Sequence, residues 1–176
     1  MQTRDRIVLA LKKGLPWVFV ALMVGAVIQD LRGRGGMDEG KRAPQLRLAL
    51  SDGTQFDLEQ TRGHVRVINF WGTYCPPCRH EAPTLSAVWR ELRAAGDYLI
   101  GVAADDANLA DVSAFARQIG GEFPIAIGSV DVMGAYRVQL LPTTYVIDGH
   151  GVITHTVVGE VSANELRAAI AEAREP

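Results

Sequence analysis

Cysteine is scarce in this chain: of 176 residues only Cys75 and Cys78 carry a thiol. Apolar residues make up 48% of it, core material enough to fold without covalent staples. Histidine occurs singly, at His64, His80, His150 and His155, so a zinc or iron–sulfur site has no second ligand pair at usable spacing. Neither sign of charge dominates. A formal net charge of −2 offers no basic field to a phosphate backbone and excludes nucleic acid as the main partner. Repeats of solenoid length and low-complexity tracts are also missing, which excludes a repeat array.

Long apolar runs are missing except for one. "LPWVFVALMVGAVI", Leu15 to Ile28, has fourteen residues and no charge. It is shorter than the ~20 residues of a spanning helix and overlaps the apolar region of a signal peptide. Leu31 extends its apolar character past Gln29 and Asp30, and Lys12 and Lys13 flank its start. We read residues 1–14 as a cytoplasmic stub and 15–31 as an uncleaved transmembrane signal anchor. Residues 32–42 are then a Gly- and charge-rich tether, and 43–176 an exported domain. A cleaved signal peptide, ending at the small residues Val24-Gly25-Ala26, and a buried core helix are the alternatives. Four basic residues precede the run and four follow it, so their count does not orient it; the short basic N-terminus favours N-in. The expected location is the cytoplasmic membrane, single-pass, with the domain facing the periplasm or cell exterior. Beyond residue 31 the chain holds 14 basic and 18 acidic residues, a mildly acidic exported part.

Within that part the hydrophobic pattern alternates between periods. "APQLRLAL" and "QFDLEQTRG" read as two short strands around the turn "SDGT". "HVRVINFW", His64 to Trp71, is rich in β-branched and aromatic residues and reads as a buried central strand. "HEAPTLSAVWRELRAAG" spaces Leu85, Val88, Trp89 and Leu92 as one helix face and closes at Gly96. "YLIGVAA" is a strand, and a helix capped by Asp106 is expected after it. A short strand "FPIAIG", a weak helix "VDVMGAYRV", the strands "LLPTTYVID" and "VITHTVVGE", and a last helix capped by Ser162 and Glu165 complete the chain. Early βα alternation followed by a hairpin and a helix gives an α/β fold, a mixed sheet with helices on both faces.

The cysteines lie in "NFWGTYCPPCRHEAP", between that central strand and its helix. A merely structural bridge would close so short a loop that it removes little chain entropy. A two-coordinate Cu(I) clip is chemically open to the pair. The redox reading asks for an activated first thiol, a shielded second one and a docking surface. A helix start supplies N–H groups and the positive end of the dipole to Cys75. Cys78 sits one turn inside. Leu141-Pro142 can receive an extended backbone if the bond is cis. Tyr74 is expected at the rim of the site. Glu81, one turn beyond Cys78, reads as a solvated charge complementing the helix dipole, or alternatively as a proton shuttle.

"NFWGTYCPPCRHEAP", followed about sixty residues later by "LLPTTYVIDGHG", resembles the TlpA/ResA-type branch of the thioredoxin superfamily. The likeness covers about residues 43–176, including an N-terminal lead-in hairpin. It implies a thioredoxin-like fold, a nucleophilic Cys75, a resolving Cys78, a cis bond before Pro142, a helix-kinking Pro83 and Trp71 packed beside the disulfide. Two positions depart from the pattern. Asn69 stands where many thioredoxins carry a buried Asp, and Pro76 and Pro77 stand where some ResA-like members carry a Glu. The related peroxiredoxin type wants a Thr three residues before the Cys, where this chain has Gly72.

Direction follows from how strongly the Cys75 thiolate is stabilised. Pro76 and Pro77 are uncharged and lack N–H groups, so two donors at the helix start are lost. Weak thiolate stabilisation favours a reductant, so the expected function is a periplasmic disulfide reductase. A disulfide oxidase or isomerase, and a Cu(I)-binding module, are the alternatives. Neither metal nor cofactor beyond the Cys75–Cys78 disulfide is expected. By resemblance, partners are exported proteins with cysteine pairs, of cytochrome c biogenesis or copper sites, and a membrane electron donor of thiol-disulfide type.

Overall fold

The computed structural model describes residues 36–175 together with Met23 and Val24. The stub at 1–14, the anchor at 15–31 apart from those two residues, and the tether up to residue 35 lie outside the described residues. Among the described residues no helix is long and apolar enough to cross a membrane.

Between residues 36 and 175, seven strands and four helices follow one another. Strands β1 (Arg47–Ala49) and β2 (Gln55–Asp57) form the lead-in hairpin, with Leu48 opposite Phe56. Then come β3 (Arg66–Trp71), α1 (Pro76–Ala94), β4 (Tyr98–Ala103), α2 (Leu109–Gln118), β5 (Ile125–Ile127), α3 (Val130–Ala135), β6 (Thr143–Ile147), β7 (Ile153–Val158) and α4 (Ala163–Ala173). The main sheet runs β5-β4-β3-β6-β7. β3, β4 and β5 are parallel, while β6 and β7 are antiparallel to their neighbours. The mixed sheet expected from the sequence is therefore present.

β3 is central and every residue of it is buried. Its period-2 geometry divides the core in two. Val67 and Trp71 join the cluster built on α1, α2 and α4 through Leu85, Leu92, Val112 and Ile170. Ile68 and Phe70 join the opposite cluster, where Leu46, Phe56 and Leu58 of the hairpin segment and Tyr136 after α3 cover the sheet. The two faces are thus unequal: three helices on one, the hairpin and the short α3 on the other. Arg66 is the exception to an apolar strand. It is fully buried, its Nη1 donates to Thr61 O and His64 O, and burial lowers its pKa.

The helix signals are largely as expected. Ser162 and Glu165 form a reciprocal capping box on α4, and Gly96 takes φ +82° just after α1, a conformation open to glycine. The α2 cap differs. Asn108, not Asp106, is the N-cap, its side chain accepting from Asp111 N at 2.9 Å. An Asx side chain caps only from the position before the first helical residue, and Asp106 lies two residues too early, exposed.

β4 carries a glycine for a packing reason. A Cβ at Gly101 would lie 2.7 Å from Phe123 Cε2, 2.9 Å from Ile125 Cδ1 and 3.0 Å from Trp71 Nε1. Gly101→Ala is expected to cost about 1–3 kcal/mol by overpacking, read as a lower urea midpoint. An unchanged midpoint would contradict this packing.

Candidate active site

The strand-to-helix junction places both sulfurs. Cys75 is the N-cap of α1, extended at φ −96°, ψ 106°, with Pro76 and Pro77 at the first helical positions. Proline is at home there, since its missing N–H is one the helix leaves unpaired anyway. The first N–H available is that of Cys78, and it donates to Cys75 Sγ at 3.3 Å. The double proline therefore removes two donors but leaves one aimed at the first sulfur. Cys75 and Cys78 are joined as a disulfide.

The environments of the two sulfurs differ. Cys75 lines a surface groove of about 460 Å³, whose wall includes Tyr74, Pro76, Pro77, Met133, Leu140 and Leu141. No charged residue lines it. Cys78 faces inward and lines a small internal cavity instead. Cys75 is itself only 6% exposed, more covered than an accessible first thiol was expected to be. Access to it runs through the groove, with Tyr74 (63% exposed) at the rim, its hydroxyl donating to Ala104 O. The Leu141-Pro142 bond is cis, and Pro142 is buried while Leu141 forms the groove wall. Trp71 is buried in the cluster that contains both cysteines.

Glu81 is where the structure most alters the sequence reading. It is 1% exposed, not a solvated charge of the first turn. It lies three residues after Cys78, and residues three apart share a helix face. That face packs onto β3, so Glu81 is carried inward with Cys78. Its Oε1 accepts from Asn69 Nδ2 at 2.8 Å and its Oε2 from Val161 N at 3.2 Å. Burial raises its pKa to about 7; the bonds from Asn69 and Val161 oppose that rise, and the charge of Glu160 adds to it. Asn69 does not leave the site without a carboxylate. It holds one that comes from α1.

A second polar cluster holds the loop before Cys75, and the sequence reading missed it. Asp105, after β4, accepts from Thr73 N at 3.0 Å and from Thr73 Oγ1. Arg79 Nη2 and Nε donate to Thr73 O at 2.8 and 3.2 Å, and its guanidinium lies 5.2 Å from the Phe115 ring centre. The only signal was the acidic "ADD" segment, which carries no hint of the residue it meets. His150 sits in the β6–β7 turn, its N–H on Asp148 Oδ1. Among the described residues no three His, Cys, Asp or Glu side chains gather as metal ligands.

A dithiol pair at the start of a helix, one sulfur on a groove and one inside, defines a thiol-disulfide oxidoreductase of thioredoxin-like fold. Comparison with known proteins agrees. The AhpC/TSA family model matches residues 40–156, and the chain belongs to that family, within its ResA-like group. It is 33% identical over 131 residues to the thiol-disulfide oxidoreductase ResA of Bacillus thuringiensis (strain Al Hakam), covering 74% of this chain and 75% of that one. It is 32% identical over 165 residues to the thioredoxin-like protein YneN of Bacillus subtilis (strain 168), covering 89% and 95%. Among solved structures, a Chlorobium tepidum protein described as a thiol:disulfide interchange protein DsbE matches with a TM-score of 0.69 and 28% identity. That match covers 78% of this chain and 99% of the other.

Proposed function

We propose that the protein reduces disulfides of exported client proteins from a membrane anchor. The observation that carries this reading is that Cys78 and Glu81, three residues apart on α1, are both buried behind a groove-lining Cys75. The Cys75 thiolate attacks a client disulfide. A mixed disulfide forms and one client sulfur leaves as a thiolate. Cys78 then gives its proton to Glu81, whose pKa of about 7 matches the working pH, and attacks Cys75 Sγ. The Cys75–Cys78 disulfide forms and the second client sulfur leaves. Two electrons have moved from the dithiol to the client, and the client thiolates take up the two protons. Leu141, on the groove wall just before the cis bond to Pro142, docks the client backbone along the groove.

The double proline supports the direction, because it leaves the Cys75 thiolate a single backbone donor. A weakly stabilised thiolate makes a low-potential pair. The reductant returns through a membrane donor of thiol-disulfide type. Clients with cysteine pairs, such as those of cytochrome c or copper-site assembly, suit such chemistry. The apolar run at Leu15–Ile28 would hold the domain at the outer face of the cytoplasmic membrane. Reduced full-length protein should convert a disulfide-bonded Cys-x-x-Cys peptide to the dithiol and be recovered as its own disulfide. An equilibrium lying with the oxidised peptide would sink the reductase assignment. Alkaline washing should leave the chain with membranes; its release would remove the anchor.

A further inference from the structure

The cavity behind Cys78 has a volume of about 10 Å³ and is lined by Asn69, Trp71 and Cys78 together with apolar side chains such as Ala82, Leu85 and Ala116. Two buried polar atoms of its lining residues have no partner, Asn69 Oδ1 and Trp71 Nε1. They are complementary, one acceptor and one donor. Asn69 is fixed in this orientation because its Nδ2 donates to Glu81 Oε1 and to Thr144 Oγ1 at 3.0 Å, and a carboxylate only accepts. Its Oδ1 therefore cannot turn to Glu81 while that side chain is ionised. A buried donor and acceptor left unpaired each cost stability. One water needs on the order of 10–15 Å³ and two to four polar partners, which this cavity supplies.

We infer that the cavity is a binding site for a single structural water that serves Cys78. The water accepts from Trp71 Nε1–H, donates one hydrogen to Asn69 Oδ1 and turns the other to Cys78 Sγ. Its role rests on the reading of Cys78 as the resolving thiol. When Cys78 loses its proton to Glu81, the water hydrogen-bonds the thiolate of a residue only 2% exposed. It carries no net proton. The Asn69 amide stands between it and Glu81 and has no proton to pass on without changing tautomer. Trp71 and Asn69 are positioning residues, acting on the sulfur through the water. Asn69 thus does two tasks with one side chain, holding Glu81 with its nitrogen and the water with its oxygen.

The test uses full-length reduced protein in detergent micelles with ¹⁵N-labelled indoles. The Trp71 indole N–H, assigned by its loss in Trp71→Phe, should show a cross-relaxation peak to a long-lived water. Ala116→Val, which fills the cavity while leaving every polar group in place, should remove that peak. In a Cys75→Ala background, where Cys78 is the only thiol, both Trp71→Phe and Ala116→Val should lower the thiolate fraction at a given pH about tenfold, the scale of one hydrogen bond to a charge. No indole–water peak in the unsubstituted protein would overturn the site. A peak with Cys78 acidity unmoved in both variants would overturn its role. Failure of Cys78→Ser to trap a client would instead count against the proposed function, so the two failures are separable.

Discussion

Cys78→Ser is expected to stop the reaction at its midpoint. Cys75 lines the surface groove and Cys78 only the internal cavity, so a client sulfur reaches Cys75 and not Cys78. With Ser at 78 the first attack proceeds, and no internal thiol then attacks Cys75 Sγ. Turnover should fall at least roughly a thousandfold, as when one member of a concerted catalytic pair is lost, while a mixed disulfide on Cys75 accumulates stoichiometrically. Cys75→Ser should lose turnover equally and form no adduct, because the remaining thiol faces inward. Mass spectrometry under non-reducing conditions distinguishes the two. An adduct on Cys78 in the Cys75→Ser protein, at a yield like that on Cys75, would reverse the assigned roles.

Glu81→Gln carries the second large effect, and pH is its signature. In the unsubstituted protein, release of the client from the mixed disulfide should accelerate as pH rises through about 7, where Glu81 becomes able to accept a proton. In the Gln variant the step should be about 10²-fold slower, the scale of a lost general base, and should rise only at a higher pH, where the thiol ionises without help. Stability moves with the same group. Its folded pKa lies above the ordinary value of 4.5, so below pH ~4.5 both states are protonated and burial is unopposed. Between there and about 7 the unfolded chain ionises first and the native state holds more protons, so stability falls as pH rises. Above about 7 the loss is complete, roughly 3 kcal/mol for this shift. Glu81 accepts from both Asn69 and Val161, and a Gln oxygen accepts where its nitrogen cannot. Relative to the protein with Glu81 protonated, the variant therefore loses about 1 kcal/mol, and it lacks the pH-dependent fall, so it is the less stable of the two at pH 4 and the more stable at pH 8. Denaturant midpoints at pH 4 and 8 for both proteins separate the constant cost from the slope. Equal slopes would show that Glu81 is not the titrating group.

The sheet was legible because its signals are local. "HVRVINFW" is a continuous buried run, Ser162 and Glu165 announce a helix start, and Gly96 announces an end. The cysteine pair was legible for the same reason, since residues 75 to 78 carry their own helix cap. Glu81 was misread because its neighbours Arg79 and His80 are exposed and a lone glutamate on a helix usually faces water. What buries it comes from elsewhere: Asn69 from β3, twelve residues back, and Val161 from the segment before α4, eighty residues on. The clamp on Thr73 has the same origin, as Asp105 arrives from the far end of β4. Asn69 looked like a deleted acid because the likeness was read one position at a time. In the fold, the amide and the carboxylate from α1 form one unit.

The central claim is that this pair gives electrons. The measurement that tests it most directly is the equilibrium of the Cys75–Cys78 couple against a reference thiol pair at pH 7. With one backbone donor on Cys75, the account places the potential near that of thioredoxin, about −270 mV, and a value near that of the oxidant DsbA, about −120 mV, would contradict it.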